Sequence, residues 1–205
     1  MLIEKIKVGV YQTNTYIVAK DKGKEAIIID PAGDFERIKS IIDENDLDLK
    51  YILLTHGHGD HIGAIEKLKE KFDLEIYIHK DDEYMLKNSE YNLTYKFGEE
   101  IEIEPDKTFE DGDSLKVEGL DIEFIHTPGH TKGSSCIKIN SYLFSGDTLF
   151  YNSIGRTDLE GGDKEKILKS IKEKLLILPS DVKVFPGHGA KTSINNELLK
   201  NPFFR

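Results

Sequence analysis

The stretch that decides the fold of this chain reads Thr55-His56-Gly57-His58-Gly59-Asp60-His61. Residues 51–54 before it form an apolar run, and residues 62–72 after it repeat apolar side chains at helical spacing. Two histidines separated by one residue point the same way from an extended chain and can bind one metal ion. Asp60 and His61 follow at the start of the predicted helix and can serve a second ion. The stretch therefore predicts a metal-binding loop between a strand and a helix.

Three further polar side chains stand just beyond apolar runs, each preceded by glycine or Pro-Gly: His130, Asp147 and His188. Together with the first loop, these positions contain five of the seven histidines in the chain. Functional side chains are commonly carried by loops on a rigid scaffold, so we expect the four loops to converge at one edge of the fold.

The candidate ligand set combines five imidazoles with two carboxylates. Three imidazoles would bind the first ion: His56, His58 and His130. A carboxylate and two imidazoles would bind the second: Asp60, His61 and His188. Asp147 would bridge the two ions and leave each an open position, as catalytic sites require. Paired ions acidify a shared water and polarise a substrate oxygen, so the set predicts hydrolysis. We expect two divalent ions, with zinc favoured and iron or manganese compatible with the same ligands.

The remainder of the chain predicts strands and helices in two similar halves. Residues 2–30 predict strands, as do 51–54, 75–79, 114–117, 121–126, 135–139, 141–144 and 182–185. Helical spacing covers 35–42, with Asp34 as N-cap, and also 62–72, 163–178 and 194–199. Residues 88–106, which include the acidic run 99–104, predict a surface insertion. We expect one domain over residues 1–205, built from two packed sheets with helices outside.

Composition narrows the classes of partner. The 205 residues carry a formal charge of −10, which disfavours a nucleic-acid partner. The single cysteine, Cys136, fits a reducing cytoplasm and is expected to be a small core residue. The N-terminal residues lack a long apolar segment, so we expect neither export nor a membrane partner. Monomer and homodimer both remain open.

The four loops together resemble the signature of the metallo-β-lactamase superfamily: His-x-His-x-Asp-His, a His after Thr-Pro-Gly, then Gly-Asp, then Pro-Gly-His. The resemblance implies a four-layer αββα sandwich with a dinuclear site at one edge. Residues 145–150 and 153–158 resemble the glyoxalase II group, especially its short bacterial members. That group implies cleavage of a small acyl thioester by a hydroxide held between two metals, with Asp60 orienting the hydroxide beside the bridging Asp147.

The sequence departs from classical glyoxalase II at two places. About seventeen residues follow His188, too few for the added helical domain that binds glutathione. Residues 155–158 read Gly-Arg-Thr-Asp, which also resembles persulfide dioxygenases, where one iron is held by the equivalents of His56, His130 and Asp147. Arg156 would hold a substrate carboxylate or form an ion pair with Asp158.

Other functions of the same superfamily also remain as alternatives. They are a lactonase, a β-lactamase and a nuclease. A metal carrier without catalytic activity is the non-enzymatic alternative. Two histidines, His79 and His126, fall outside the signature, and we interpret them as residues that pack or support the site.

Overall fold

Two six-stranded sheets packed face to face form the centre of the computed structural model, which describes residues 1–9, 11–98 and 100–205. Val10, which the strand pattern includes, and Glu99 of the acidic run lie outside the described residues. None of the helices in the described ranges has the length and apolar character needed to cross a lipid bilayer.

The first sheet contains strands β1 to β6 in chain order: Leu2–Val8, Thr13–Ala19, Glu25–Ile29, Asp48–Leu53, Glu75–His79 and Lys107–Phe109. The first three strands are antiparallel, and β3 to β6 run parallel to one another. Parallel strands end at the same edge of a sheet. The residues that follow β3 and β4 therefore lie side by side.

The second sheet has the order β14-β13-β10-β9-β8-β7. Its strands are β7 to β10, Ser114–Val117, Leu120–His126, Ser135–Ile139 and Tyr142–Gly146, with β13, Lys183–Pro186, and β14, Thr192–Ser193. Strands β11 and β12, Leu149–Phe150 and Ser153–Ile154, form a separate small ladder. Among the described strands of the second sheet, β10 and β13 form the one parallel pair, with Gly146 opposite Pro186. This register places Asp147 and His188 next to each other.

The α-helices, α1 to α6, are Phe35–Glu44, Ile65–Lys71, Glu83–Leu86, Ser89–Asn92, Lys164–Ser170 and Ile194–Lys200. Short 3-10 turns occur at Gly59–His61, Lys80–Asp82 and Thr94–Phe97, and a π-helical turn at Ile171–Leu175 continues α5.

Three apolar cores alternate with the layers of secondary structure. Along β3, Ile28 faces the core beneath α1 and α2, whereas Ile27 and Ile29 face the second sheet. This alternation follows from the two-residue period of a strand, which buries both faces of the sheet. A third core packs α5 and α6 against the outer face of the second sheet, and Cys136 lies within it. The layers are therefore helix, sheet, sheet, helix, as the αββα prediction requires.

Three local predictions need correction. The helix predicted over 62–72 begins only at Ile65, because the chain first makes the 3-10 turn that carries Asp60 and His61. Asp34 precedes α1 as predicted, but it lies at φ 52° and its side chain makes no capping hydrogen bond within the described residues. The helix predicted over 163–178 is divided between α5 and the π-helical turn.

The interpretation of residues 88–106 as a surface insertion is wrong in part. Asn92 is fully buried, accepts hydrogen bonds from Thr94 and donates one to the Ile101 carbonyl at 2.8 Å. Ile103 joins the core beneath the first sheet. The sequence pattern missed this because the segment is organised by a buried amide rather than by an apolar stripe.

Candidate metal centre

The four loops predicted to converge do meet, at the edge where the two sheets join. The amide of Ser135, at the start of β9, donates to the Thr55 carbonyl at 2.8 Å. On the other side, the Asn14 amide donates to the Gly187 carbonyl at 2.7 Å. These backbone hydrogen bonds join the loop after β4 and strand β2, both of the first sheet, to the second sheet. All seven predicted ligand side chains are thereby brought together.

Their metal-competent atoms form overlapping groups whose members lie within 4.8 Å of one another. We name the first position by one of these groups: His56, His58 and His130. We name the second position by another: Asp60, His61 and His188. A further group joins His56 and His61 to Asp147. The geometry matches the division predicted from the sequence, and the role of these residues as ligands remains a prediction.

Hydrogen bonds behind the imidazoles fix which ring nitrogen faces the site. His130 Nδ1 donates to the Arg156 carbonyl at 2.8 Å, and His188 Nδ1 donates to the Tyr11 carbonyl at 3.1 Å. A carbonyl oxygen only accepts, so each Nδ1 carries a proton and Nε2 is the ring nitrogen that faces the site and can bind an ion there.

Asp30, which no sequence motif marked as a site residue, fixes two more imidazoles. One carboxylate oxygen accepts from His61 Nδ1 at 3.0 Å and from the Thr55 hydroxyl at 2.7 Å. Since Thr55 has given its hydrogen to Asp30, its oxygen can only accept from His56 Nδ1, 3.1 Å away. In the neutral form of each histidine the proton therefore stays on Nδ1, and Nε2 is the nitrogen that can offer a lone pair to an ion in the site. Asp30 follows the apolar strand β3 directly, as the other site residues follow their strands, and that position was the available signal.

Several buried atoms in the cluster fit a metal ion. His56 Nε2, His61 Nε2 and Asp147 Oδ1 are buried and have no hydrogen-bond partner among the residues that the structure describes. Such atoms are costly unless something binds them. His58 Nδ1 lies 3.0 Å from His130 Nε2, a spacing at which two lone pairs repel unless a cation or a proton lies between them. The donors are imidazole and carboxylate, which divalent transition metals prefer.

Asp147 reaches both positions. Its Oδ2 lies 3.7 Å from His130 Nε2 in the first position and 3.5 Å from His188 Nε2 in the second. Its Oδ1 lies 3.5 Å from His61 Nε2. Gly187 permits this approach, since a Cβ there would stand 2.3 Å from Asp147 Oδ1. The placement is the one a bridging carboxylate needs.

Burial and mutual charge set the titration of the site without an ion. Burial, reinforced by the neighbouring imidazoles, lowers the pKa of His56 and brings the pKa of His58 to about 3. Burial would also lower the pKa of His61, but Asp30, Asp60 and Asp147 outweigh it and raise that pKa to about 9. Although burial opposes it, His61 and the other imidazoles lower the pKa of Asp147 to about 2. Without an ion, His56 and His58 are therefore neutral, whereas His61 and Asp147 carry opposite charges.

A cavity of about 640 Å³ opens over the cluster. Its walls come from three parts of the chain and include Tyr11, Asn92, Lys96, Phe150, Arg156 and Leu159. Arg156 lines the cavity, but its Nε and Nη2 donate to Asp158 at 2.7 and 2.8 Å. Both residues are exposed, so the pair is easily exchanged for another anion. The ion pair considered in the sequence analysis is thus present, beside a cavity where a substrate carboxylate could also reach.

The two remaining histidines pack against each other away from this cluster. The rings of His79 and His126 stack at 3.9 Å with 13° between their planes. His126 Nε2 donates to the Lys132 carbonyl at 2.8 Å, which ties it to the loop that carries His130. With Asp81 they lie close enough to hold an ion, but stacked rings direct their in-plane lone pairs along parallel planes rather than towards one point. The geometry supports the packing interpretation.

Comparison with known proteins agrees with this geometry. A family model described as the metallo-beta-lactamase superfamily matches residues 8–188. Hydroxyacylglutathione hydrolase GloC of Haemophilus influenzae is 41% identical over 208 residues, covering 99% of this chain and 98% of that protein. Probable metallo-hydrolase YqgX of Bacillus subtilis is 38% identical, covering 97% and 95%.

Solved structures give the same result. The BLEG-1 B3 metallo-beta-lactamase superposes with a TM-score of 0.93 at 38% identity, covering 99% of both chains. TTHA1623 in a di-iron-bound form has a TM-score of 0.86 at 34% identity, covering 98% of this chain and 99% of that one. ETHE1 from Myxococcus xanthus has a TM-score of 0.81 at 27% identity, covering 98% and 84%. The fold, the convergent loops and the matching family model together show that this chain belongs to the metallo-beta-lactamase superfamily, whose members bind divalent metal ions.

Proposed function

We propose that this protein is a hydrolase of small acyl thioesters that works with two divalent metal ions, with zinc as the favoured metal. The observation that carries the proposal is Asp147, one carboxylate shared between two complete groups of ligand atoms beneath an open cavity. The relative named hydroxyacylglutathione hydrolase supports the substrate class, and the di-iron-bound neighbour supports a site with two ions.

Two ions held in these positions would acidify a shared water and polarise the carbonyl of the substrate. The residues of the chain prepare the site for that chemistry. Asp60 accepts a hydrogen bond from Thr13 at 3.4 Å, and its Oδ2 lies 3.3 Å from His188 Nε2. Although burial opposes it, His61 and His188 lower the pKa of Asp60, so its carboxylate stays ionised. It can therefore accept a hydrogen bond from the attacking water and orient it towards the substrate.

The cavity suits a small substrate with a polar end. Its volume of about 640 Å³ is in the range of ordinary small-molecule sites. Phe150, Ile154 and Leu159 provide an apolar wall for an acyl or thiol chain. We propose that Arg156 binds a substrate carboxylate, with Asp158 holding the guanidinium in place until substrate arrives.

The test is thiol release from matched thioesters. Protein purified without oxygen or chelator is analysed for metal, reconstituted separately with zinc, iron and manganese, and assayed with S-lactoylglutathione and with acyl esters of smaller thiols. We expect about two ions per chain and turnover of at least one thioester class. Protein that holds two ions and cleaves no thioester overturns the proposal. One iron per chain, with oxygen uptake on a glutathione persulfide, replaces it with the dioxygenase that residues 155–158 resemble.

A specific observation favours β-lactams as a second substrate class. The BLEG-1 structure carries the name of a B3 metallo-beta-lactamase and matches 99% of both chains at 38% identity. A β-lactam is a strained amide, whose hydrolysis needs the same activated water and polarised carbonyl. A chromogenic cephalosporin in the same assay compares the two substrate classes directly through kcat/KM.

A further inference from the structure

A buried carboxylate outside the predicted ligand set joins two of the site loops. Asp82 ends the 3-10 turn that follows β5, and its side chain is fully buried. One of its oxygens accepts from the Gly57 amide at 3.2 Å and from the Thr131 hydroxyl at 2.6 Å. The other accepts from the Gly133 amide at 2.6 Å. The carboxylate thus accepts three hydrogen bonds, all from loop residues.

These donors belong to the two loops that carry the first position. Gly57 lies between His56 and His58 in the loop after β4. Thr131 follows His130 in the loop after β8, which belongs to the other sheet. Asp82 therefore spans the junction between the sheets, directly behind the imidazoles that must approach one another.

The packing around this carboxylate is close. A Cβ on Gly133 would lie 2.6 Å from the Asp82 nitrogen and 2.7 Å from its Cγ. A Cβ on Gly57 would lie 2.7 Å from the Cβ of Met85, which is in the helix just after Asp82. Both loops approach this segment more closely than any side chain at those two glycines would allow, so their separation depends on what Asp82 holds.

We propose that Asp82 is a positioning residue that sets the separation of the His56–His58 loop from His130, and thereby the affinity of the first position for a metal ion. Its hydrogen bonds within the described part of the chain reach two backbone amides and one hydroxyl beside the predicted ligands, rather than the ligands themselves. The three hydrogen bonds of Asp82 reach residues next to His56, His58 and His130. Asp60 and His61 lie further along, in the separate 3-10 turn Gly59–His61, so we expect a larger effect on the ion in the first position.

Asp82→Asn is the informative substitution, because it keeps the shape and changes the hydrogen bonding. In one orientation the amide NH₂ faces the N–H of Gly57, and in the other it faces the N–H of Gly133. Either way a donor meets a donor and one loop loses its attachment. A carboxylate is required because it offers acceptors only.

The experiment measures stepwise metal affinity. Metal-free wild type and Asp82→Asn are titrated with Zn²⁺ against a chromophoric chelator, and with Co²⁺ while recording the d–d spectrum. We expect the Kd of one of the two ions to rise about 10- to 100-fold, the range found when an outer partner of a ligand is lost. The Kd of the other ion should stay within about threefold.

Glu197→Gln is the matched control. Glu197 is a fully buried carboxylate that accepts hydrogen bonds from Asn152 and Asn201, in the part of the chain around α6. Its loss should lower the unfolding temperature and leave both Kd values and the Co²⁺ spectrum unchanged. If the metal affinities depend only on general stability, both Glu197→Gln and Asp82→Asn will raise the Kd values. That result overturns the proposal.

Thr131→Val gives an independent variant if Asp82→Asn does not fold. It removes one of the three donors to Asp82 and keeps the size of the side chain. We expect a smaller rise in the same Kd. Unchanged affinity for both ions in either folded variant overturns the proposal, whatever substrate the enzyme proves to cleave.

Discussion

Asp30→Asn should lower the metal affinity of both positions, because it changes which ring nitrogen carries the proton in two histidines. In the native protein the Asp30 carboxylate accepts hydrogen bonds from His61 Nδ1, at 3.0 Å, and from the Thr55 hydroxyl. Because the Thr55 hydroxyl donates to Asp30, its oxygen is free to accept a hydrogen bond from His56 Nδ1. An amide in the same place donates to His61 Nδ1 and to Thr55. The proton of His61 then moves to Nε2, and Thr55 turns its hydrogen towards His56. Both Nε2 atoms present a hydrogen where an ion needs a lone pair.

The size of the effect follows from the number of imidazoles involved. Removing an outer partner of a metal-binding histidine typically costs about 10- to 100-fold in affinity, or roughly 1.4–2.7 kcal/mol. One such histidine lies in each position, so we expect each stepwise Kd for Zn²⁺ to rise by that factor. The charge-assisted hydrogen bonds of a buried carboxylate are also lost, so the metal-free variant should be less stable by about 2 kcal/mol.

The assay is the stepwise Zn²⁺ titration against a chelator, together with urea unfolding of the metal-free protein. Thr55→Val serves as the comparison, because it cuts the path to His56 and keeps the contact of Asp30 with His61. It should weaken only one ion. If Asp30→Asn binds both ions with wild-type affinity, the assignment of protons by Asp30 is refuted.

Three further outcomes are expected. Gly155→Ala would place a Cβ 1.7 Å from the Asp147 carbonyl. It should lower the unfolding free energy by roughly 2 kcal/mol and disturb bound metal, and normal metal content with an unchanged melting temperature would contradict this. Burial, and then His126, lowers the pKa of His79 to about 4. The unfolded chain therefore binds more protons than the native state below pH about 6.5, so stability falls as pH falls towards 4, by about 1–2 kcal/mol after allowance for screening. The variant His79→Phe should flatten that part of the stability curve, and a curve parallel to wild type would contradict the shift. Burial raises the pKa of the Cys136 thiol to about 12, so a disulfide reagent at pH 8 should label it only after denaturation, and rapid labelling of native protein would contradict its burial.

The grouping of the candidate ligand side chains could be predicted from the sequence because those residues follow a local rule. His56, His130, Asp147 and His188 each lie just past an apolar strand, where the chain turns at glycine or proline. That rule requires no knowledge of which strands are neighbours. The layer order was likewise accessible, because alternating burial along β3 and the apolar stripe of α1 are local patterns.

The supporting groups could not be predicted because each depends on a contact between distant residues. Asp82 receives its three hydrogen bonds from residues 25, 49 and 51 positions away, and neither its neighbours nor its helix reveals them. Asn92 organises residues 88–106 through a single buried amide, which an apolar pattern cannot show. Asp30 followed the strand-end rule, but its importance appears only when β3 and β4 lie parallel with Thr55 beside it.

The position of the site at the junction between the two sheets means that bound ions would also affect the stability of the fold. His56, His58, Asp60 and His61 are carried by the first sheet, whereas His130, Asp147 and His188 are carried by the second. Each position draws candidate ligands from both, so an ion bound there would act as a cross-link across the sandwich. Such a cross-link closes a long loop of chain and stabilises only the assembled state, in proportion to the logarithm of free metal over Kd. Removing the metal should therefore lower the stability of both sheets together.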